Sequence, residues 1–239
     1  MIRRCAIAAL LLACLPMVAQ AAETTNECVV LLHGFGRTSR SMNAIAQALR
    51  ANGYAVVSVD YPTWRTPVEE SAATLLPAEL ARAIPPEATR THFVAYSLGG
   101  IVLREYLRTH EVPKLGRVVM LGVPNHGSEL ADTPLKRFCL VRWLAGPNLS
   151  RLGTSPADLP QQLGPMPGET GIIAGNRRLF GWPSFKSQPN DGRVTVTSAA
   201  VDGMKAQVVV HTSHTFMLLN QEARRQIVAF ITHGSFTDE

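Results

Sequence analysis

The sequence predicts an α/β protein: a mostly parallel sheet of about six strands with helices on both faces. Three observations carry this. Short apolar runs alternate along the chain with longer amphipathic stretches, as strands joined by crossover helices do. Runs such as Val29-Val30-Leu31-Leu32 are apolar at every position, so both faces of the strand must be covered. The 239 residues are 46% apolar and 17% charged, which suits one compact domain and excludes a disordered or fibrous chain.

The first 21 residues stand outside the alternation. Met1-Ile2-Arg3-Arg4 is a basic start, residues 5–15 are apolar, Pro16 breaks the run, and Ala19-Gln20-Ala21 is a small-x-small cleavage site. Residues 1–21 are therefore expected to be a secretory signal, with residues 22–239 forming the folded domain in the periplasm or outside the cell. The apolar run is far shorter than the roughly 20 residues that span a bilayer as a helix. Lipidation of Cys14 in Leu11-Leu12-Ala13-Cys14 is the alternative. Cleavage would remove Arg3 and Arg4 from the formal charge of +5, and the remaining basic residues are scattered. That distribution excludes nucleic acid as an expected partner. Cleavage would also leave two cysteines, Cys28 and Cys139, either paired or as separate buried thiols.

Strands are expected at 28–32, 55–59, 91–96, 117–121, 170–174 and 207–210. Helices are expected at 41–51, 68–84, 98–109 and 220–232, where apolar residues recur every three or four positions. Two long segments follow strands at the end where such sheets bind ligands. Residues 125–168 hold nine Gly or Pro from 146 onward and apolar residues without a regular period, which reads as a cap over a pocket; a surface loop without a role is the alternative. The second, 175–192, contains Phe180, Trp182 and Phe185 and leads to Asp191.

The candidate chemistry centres on Ala95-Tyr96-Ser97-Leu98-Gly99-Gly100, where a strand ends and a helix begins. A strand turning sharply into a helix strains the turn residue and crowds the positions two before and two after, so Ala95 and Gly99 leave the needed space. Ser97 is then presented above the sheet, with the amide of Leu98 facing the place where an oxyanion forms. His33-Gly34-Phe35-Gly36 follows the first strand, and its Phe35 amide is the second expected oxyanion donor. A tight strand exit with no further role is the alternative reading of His33-Gly34.

A nucleophilic serine needs a base and a group that orients the base. His214, between the last strand and the last helix, is the expected base, with His211 as rival. Asp191 in Pro189-Asn190-Asp191-Gly192 is the expected acid; Asp60 and Asp202 are rivals, and a plain turn is the alternative for Asn-Asp-Gly. Ser97, Asp191 and His214 run in the order serine, acid, histidine. Tyr96, His126, Trp143 and Leu144 are expected to contact substrate, while His92, His110 and His233 are expected at the surface.

These pieces, together with Gly122-Val123-Pro124-Asn125-His126-Gly127-Ser128, resemble the α/β-hydrolases, and within them small bacterial lipases and esterases. Ala95 replaces the first elbow glycine, and the first strand arrives too early for the two leading antiparallel strands of full-length members. The resemblance implies a minimal six-stranded core and a serine hydrolase that cleaves acyl or lipid esters through an acyl-enzyme, with no cofactor and no metal. It is compatible with a monomer touching a lipid interface transiently. A phospholipid or protein deacylase or a thioesterase could share these residues, and a binding or chaperone-like protein could keep the scaffold without turnover.

Overall fold

The computed structural model describes residues 25–132, 146–179 and 188–237. The expected signal and Cys14, the second cysteine Cys139, and the aromatic residues Phe180, Trp182 and Phe185 lie outside these residues, as do Trp143 and Leu144. Six strands, β1 (Glu27–Leu32), β2 (Ala55–Val59), β3 (Arg90–Tyr96), β4 (Leu115–Leu121), β5 (Thr170–Gly175) and β6 (Met204–Val210), form one sheet. Their order is β2-β1-β3-β4-β5-β6, and every neighbouring pair is parallel.

Because successive strand residues point to opposite faces, each apolar run feeds two cores. Val30, Leu32, Phe93, Ala95, Val118 and Met120 pack on one side with α3 (Leu76–Ala83) and α4 (Leu98–Thr109). Val29, Leu31, Val94, Tyr96, Val119 and Leu121 pack on the other with α1 (Asn43–Ala51) and the C-terminal helix. The helix α2 (Val68–Glu70) passes through a π-helical stretch (Ser71–Leu75) into α3, at the point where Pro77 removes a backbone donor. Two short helices follow, α5 (Leu159–Gln162) and α6 (Val196–Ala199). The C-terminal helix, α7 (Gln221–His233), is closed by caps at both ends: the Asn220 side chain accepts from the Ala223 amide at 2.9 Å, and Gly234 is left-handed with φ 72°.

His92 corrects one expectation, for it is fully buried rather than at the surface. It stands on β3 opposite Val29 of β1, so neighbouring strands cover it. Its Nδ1 accepts from the Arg117 amide at 2.9 Å, and its Nε2 donates to Glu27 at 3.1 Å, so a neutral ring satisfies both partners. Cys28 is a buried free thiol, which desolvation pushes up to about 11. No helix among the described residues is long and apolar enough to cross a membrane.

Candidate active site

At the C-terminal end of β3 the chain turns into α4 through Ser97, whose φ of 53° and ψ of −124° lie in a region that side chains rarely adopt. Two close approaches hold the turn. A Cβ on Gly99 would come within 2.6 Å of the His33 carbonyl oxygen and 2.7 Å of that of Leu32, so α4 can start this close to β1 only with glycine there. A Cβ on Gly34 would lie 2.9 Å from the Tyr96 ring. The Ser97 amide donates to the Leu121 carbonyl at 2.9 Å, fixing the turn to β4 as well.

The loop after β6 brings His214 over this serine. His214 Nε2 lies 3.0 Å from Ser97 Oγ, and Nδ1 lies 2.6 Å from Asp191 Oδ2. Asp191 is itself fixed: its Oδ1 accepts from the amides of Arg193 and Val194, both at 2.8 Å, and its carbonyl accepts from the His214 amide at 2.8 Å. Both side chains are buried, Asp191 at 1% and His214 at 5% exposure. Gly122 lets them sit there, since a Cβ would meet Asp191 Oδ2 at 3.0 Å and His214 Nδ1 at 3.1 Å. The Tyr96 hydroxyl donates to the His214 carbonyl at 2.8 Å, and burial pushes this phenol up to about 12, so it remains a donor at neutral pH.

The three residues singled out for chemistry are thus brought together, and the rivals are elsewhere. His211 is exposed and pairs with Asn176 at 2.9 Å. Asp60, 61% exposed, lies 3.2 Å from His33 and accepts from the Ser39 amide, while Asp202 is exposed beyond β6's far end. A cavity of about 480 Å³ opens over Ser97, and Phe35, Leu98 and Tyr96 line it. The amides of Phe35 and Leu98 have no hydrogen-bond partner among the described residues. His126 does not join the lining; its main chain bridges Ser198 and Gln161 instead.

The segment expected to cap the pocket, 125–168, supplies most of the wall, although the sequence did not single out which of its residues reach the cavity. Leu130 and Ala131 from the segment after β4, Leu149 and Leu152 farther along, and Val194 beside Asp191 make it apolar. Arg37 and Arg193 add two positive charges. Asn148, 3% exposed, anchors the second wall segment: its amide donates to the carbonyls of Thr63 and Thr66 and accepts from the Val68 amide, at 3.0, 2.8 and 3.0 Å. No periodicity marks these residues, because each is defined by a partner distant in sequence. No group of His, Cys, Asp and Glu among the described residues could hold a metal ion.

A parallel α/β sheet with a strained serine at a strand-to-helix turn, facing a histidine and an aspartate from later loops, is the architecture of an α/β-hydrolase. The alpha/beta hydrolase family model matches residues 29–231, and the chain belongs to that family. No curated protein sequence matches it. Among solved structures, the mature form of Bacillus licheniformis lipase BlEst2 is similar with a TM-score of 0.69 at 22% identity, over 91% of this chain and 94% of that one. The metagenomic carboxyl esterase MGS0156 gives 0.65 at 19% identity, over 82% and 67%. Phospholipase PlaB from Legionella pneumophila gives 0.62 at 17%, over 79% and 53%. At these identities the likeness is one of fold.

Proposed function

We propose that the protein hydrolyses carboxylic esters with Ser97 as nucleophile, His214 as base and Asp191 as the group that orients the base. The observation that carries this is the unbroken contact chain from Asp191 through His214 to Ser97 Oγ at 2.6 and 3.0 Å, at the floor of a cavity with a leucine-rich wall. Ser97 Oγ bonds to the ester carbonyl carbon while His214 Nε2 takes its proton, and the carbonyl electrons move onto oxygen near the amides of Phe35 and Leu98. Collapse of this intermediate breaks the bond to the alcohol, which leaves with the proton from His214. Water, deprotonated by His214, then attacks the acyl-enzyme, and the acid departs as Ser97 regains its proton. Asp191 stabilises the transient imidazolium and keeps the proton of neutral His214 on Nδ1.

The lipase and esterase neighbours and the leucine-rich wall support an acyl chain as the bound group. Each methylene buried there contributes about 0.8 kcal/mol, close to fourfold in kcat/KM. Residues 1–21 support export to the periplasm or beyond. The test is hydrolysis of p-nitrophenyl esters of graded chain length by wild type, Ser97→Ala and His214→Ala. A loss of about 10⁶ in kcat for each variant is expected; turnover surviving Ser97→Ala would overturn the assignment.

A further inference from the structure

Among the described residues, the cavity over Ser97 is lined by two arginines and by no aspartate or glutamate. Neither Arg37 nor Arg193 forms an ion pair among the described residues. The Arg37 side chain and the Arg193 backbone are held in place. The Arg37 guanidinium lies over the Tyr96 ring at 5.6 Å and donates to the Thr215 carbonyl at 3.4 Å. The Arg193 backbone is pinned from both sides, its amide donating to Asp191 Oδ1 at 2.8 Å and its carbonyl accepting from Ser128 Oγ at 2.5 Å. Burial raises the Tyr96 phenol, and both arginine charges act against that rise.

Their position on the reaction path matters more than their number. Thr215, which accepts from Arg37, is the residue after His214, and Arg193 is two residues past Asp191, so Arg37 rests against the loop that carries His214 and Arg193 stands on the loop that carries Asp191. The apolar wall of Leu130, Leu149 and Leu152 comes from the other connection and suits the acyl group. Asp191 forms no ion pair with either arginine, its two oxygens facing His214 and two amides, and its single negative charge is outnumbered by the two positive ones. A cavity that keeps two cations against the loops of its histidine and aspartate is complementary to an anion.

We propose that Arg37 and Arg193 bind a negative charge, phosphate or carboxylate, on the alcohol part of the ester. This rests on Ser97 being the ester-cleaving nucleophile. The preferred substrates are acyl esters of anionic alcohols, and neutral esters with the same acyl group are poorer. Two half-exposed charge contacts of ordinary strength give about tenfold in kcat/KM.

The test compares 4-butyryloxybenzoate with 4-butyryloxybenzamide, which differ in charge at nearly constant shape, for wild type, Arg37→Gln, Arg193→Gln and the double variant. The readout is the ratio of the two kcat/KM values. We expect a ratio near ten in wild type, lower in each single variant, near one in the double variant, and falling toward one in 1 M salt, where the screening length is about 3 Å. A wild-type ratio of one, or a ratio untouched in the double variant, overturns the proposal. Equilibrium binding of the non-hydrolysable amide analogues to Ser97→Ala separates the two layers of inference. Charge preference in binding without turnover of any ester by the wild type would sink the nucleophile assignment and keep the anion site; turnover without charge preference would do the reverse. Dihexanoylphosphatidic acid against dihexanoylglycerol, as monomers and in mixed vesicles, distinguishes a soluble phosphoester, preferred in both states, from a lipid headgroup, preferred only in vesicles.

Discussion

Changing Asp191 to Asn removes one charge and almost no volume, yet the surroundings dictate a large effect. The two amides of Arg193 and Val194, both 2.8 Å from Oδ1, are donors and will keep an acceptor oxygen facing them. The asparagine side chain therefore has one acceptable orientation, with its NH₂ turned toward His214 Nδ1, where Oδ2 now stands at 2.6 Å. A donor there forces Nδ1 to be the acceptor and moves the ring proton to Nε2, 3.0 Å from Ser97 Oγ. The base is then protonated on the atom that should take the proton. An error of this kind costs about 10⁴ in kcat, equivalent to about 5.4 kcal/mol. Steady-state hydrolysis of a p-nitrophenyl ester measures the loss, and ¹⁵N spectra of the His214 ring report the tautomer. A variant within tenfold of wild type, or a ring still protonated on Nδ1, would refute the reasoning.

Gly99→Ala places a Cβ against two backbone oxygens at 2.6 and 2.7 Å, so α4 and Ser97 must move by several tenths of an ångström. Misplacement on this scale should lower kcat by roughly 10- to 100-fold, and kcat and Tm both equal to wild type would show that the helix start has room. Asn148→Ala strands one amide and two carbonyls in the interior and should lower stability by about 3 kcal/mol in urea unfolding; a change below about 0.5 kcal/mol would contradict it. His33 and His92 are both held below the ordinary histidine value, chiefly by burial. Below about pH 6.5 the unfolded chain protonates these rings while the folded protein keeps them neutral, so the unfolded state binds more protons. Stability present above pH 6.5 should fall as pH drops through that value toward the lowered folded ones. Urea midpoints at pH 8 and pH 5 check this, and an equal or higher midpoint at pH 5 would count against it.

All six strands were legible as apolar runs, and their centres stand where the sequence puts them. Their ends were harder to read, because hydrogen bonding continues after the apolar signal stops. β6 begins at Met204 rather than 207, and β4 at Leu115 rather than 117, through polar or half-exposed residues. The expected helix at 41–51 begins instead with a 3-10 turn over Ser39–Met42 before α1. Ser97 and His214 were readable because local rules mark them: small neighbours at a strand-to-helix turn, and a loop long enough to cross. His92 was misread because a polar residue at a strand margin gives no hint that strands on both sides will cover it. Arg37 and Arg193 share a cavity across 156 positions of chain, a proximity that no local pattern encodes.

The groups aligned on Ser97 hang from the ends of β3, β5 and β6, whereas Leu130, Ala131, Leu149 and Leu152 hang from the single connection between β4 and β5. Reactivity and fit are thus borne by different stretches of the same chain. Substitutions at Ser128, Leu130, Ala131, Leu149, Ser150 and Leu152 can redraw the shape of the cavity while the sheet continues to present the same reactive atoms. Exchanging that one connection is therefore a route by which this scaffold can be diverted to new acyl groups, in nature or at the bench, without rebuilding its chemistry.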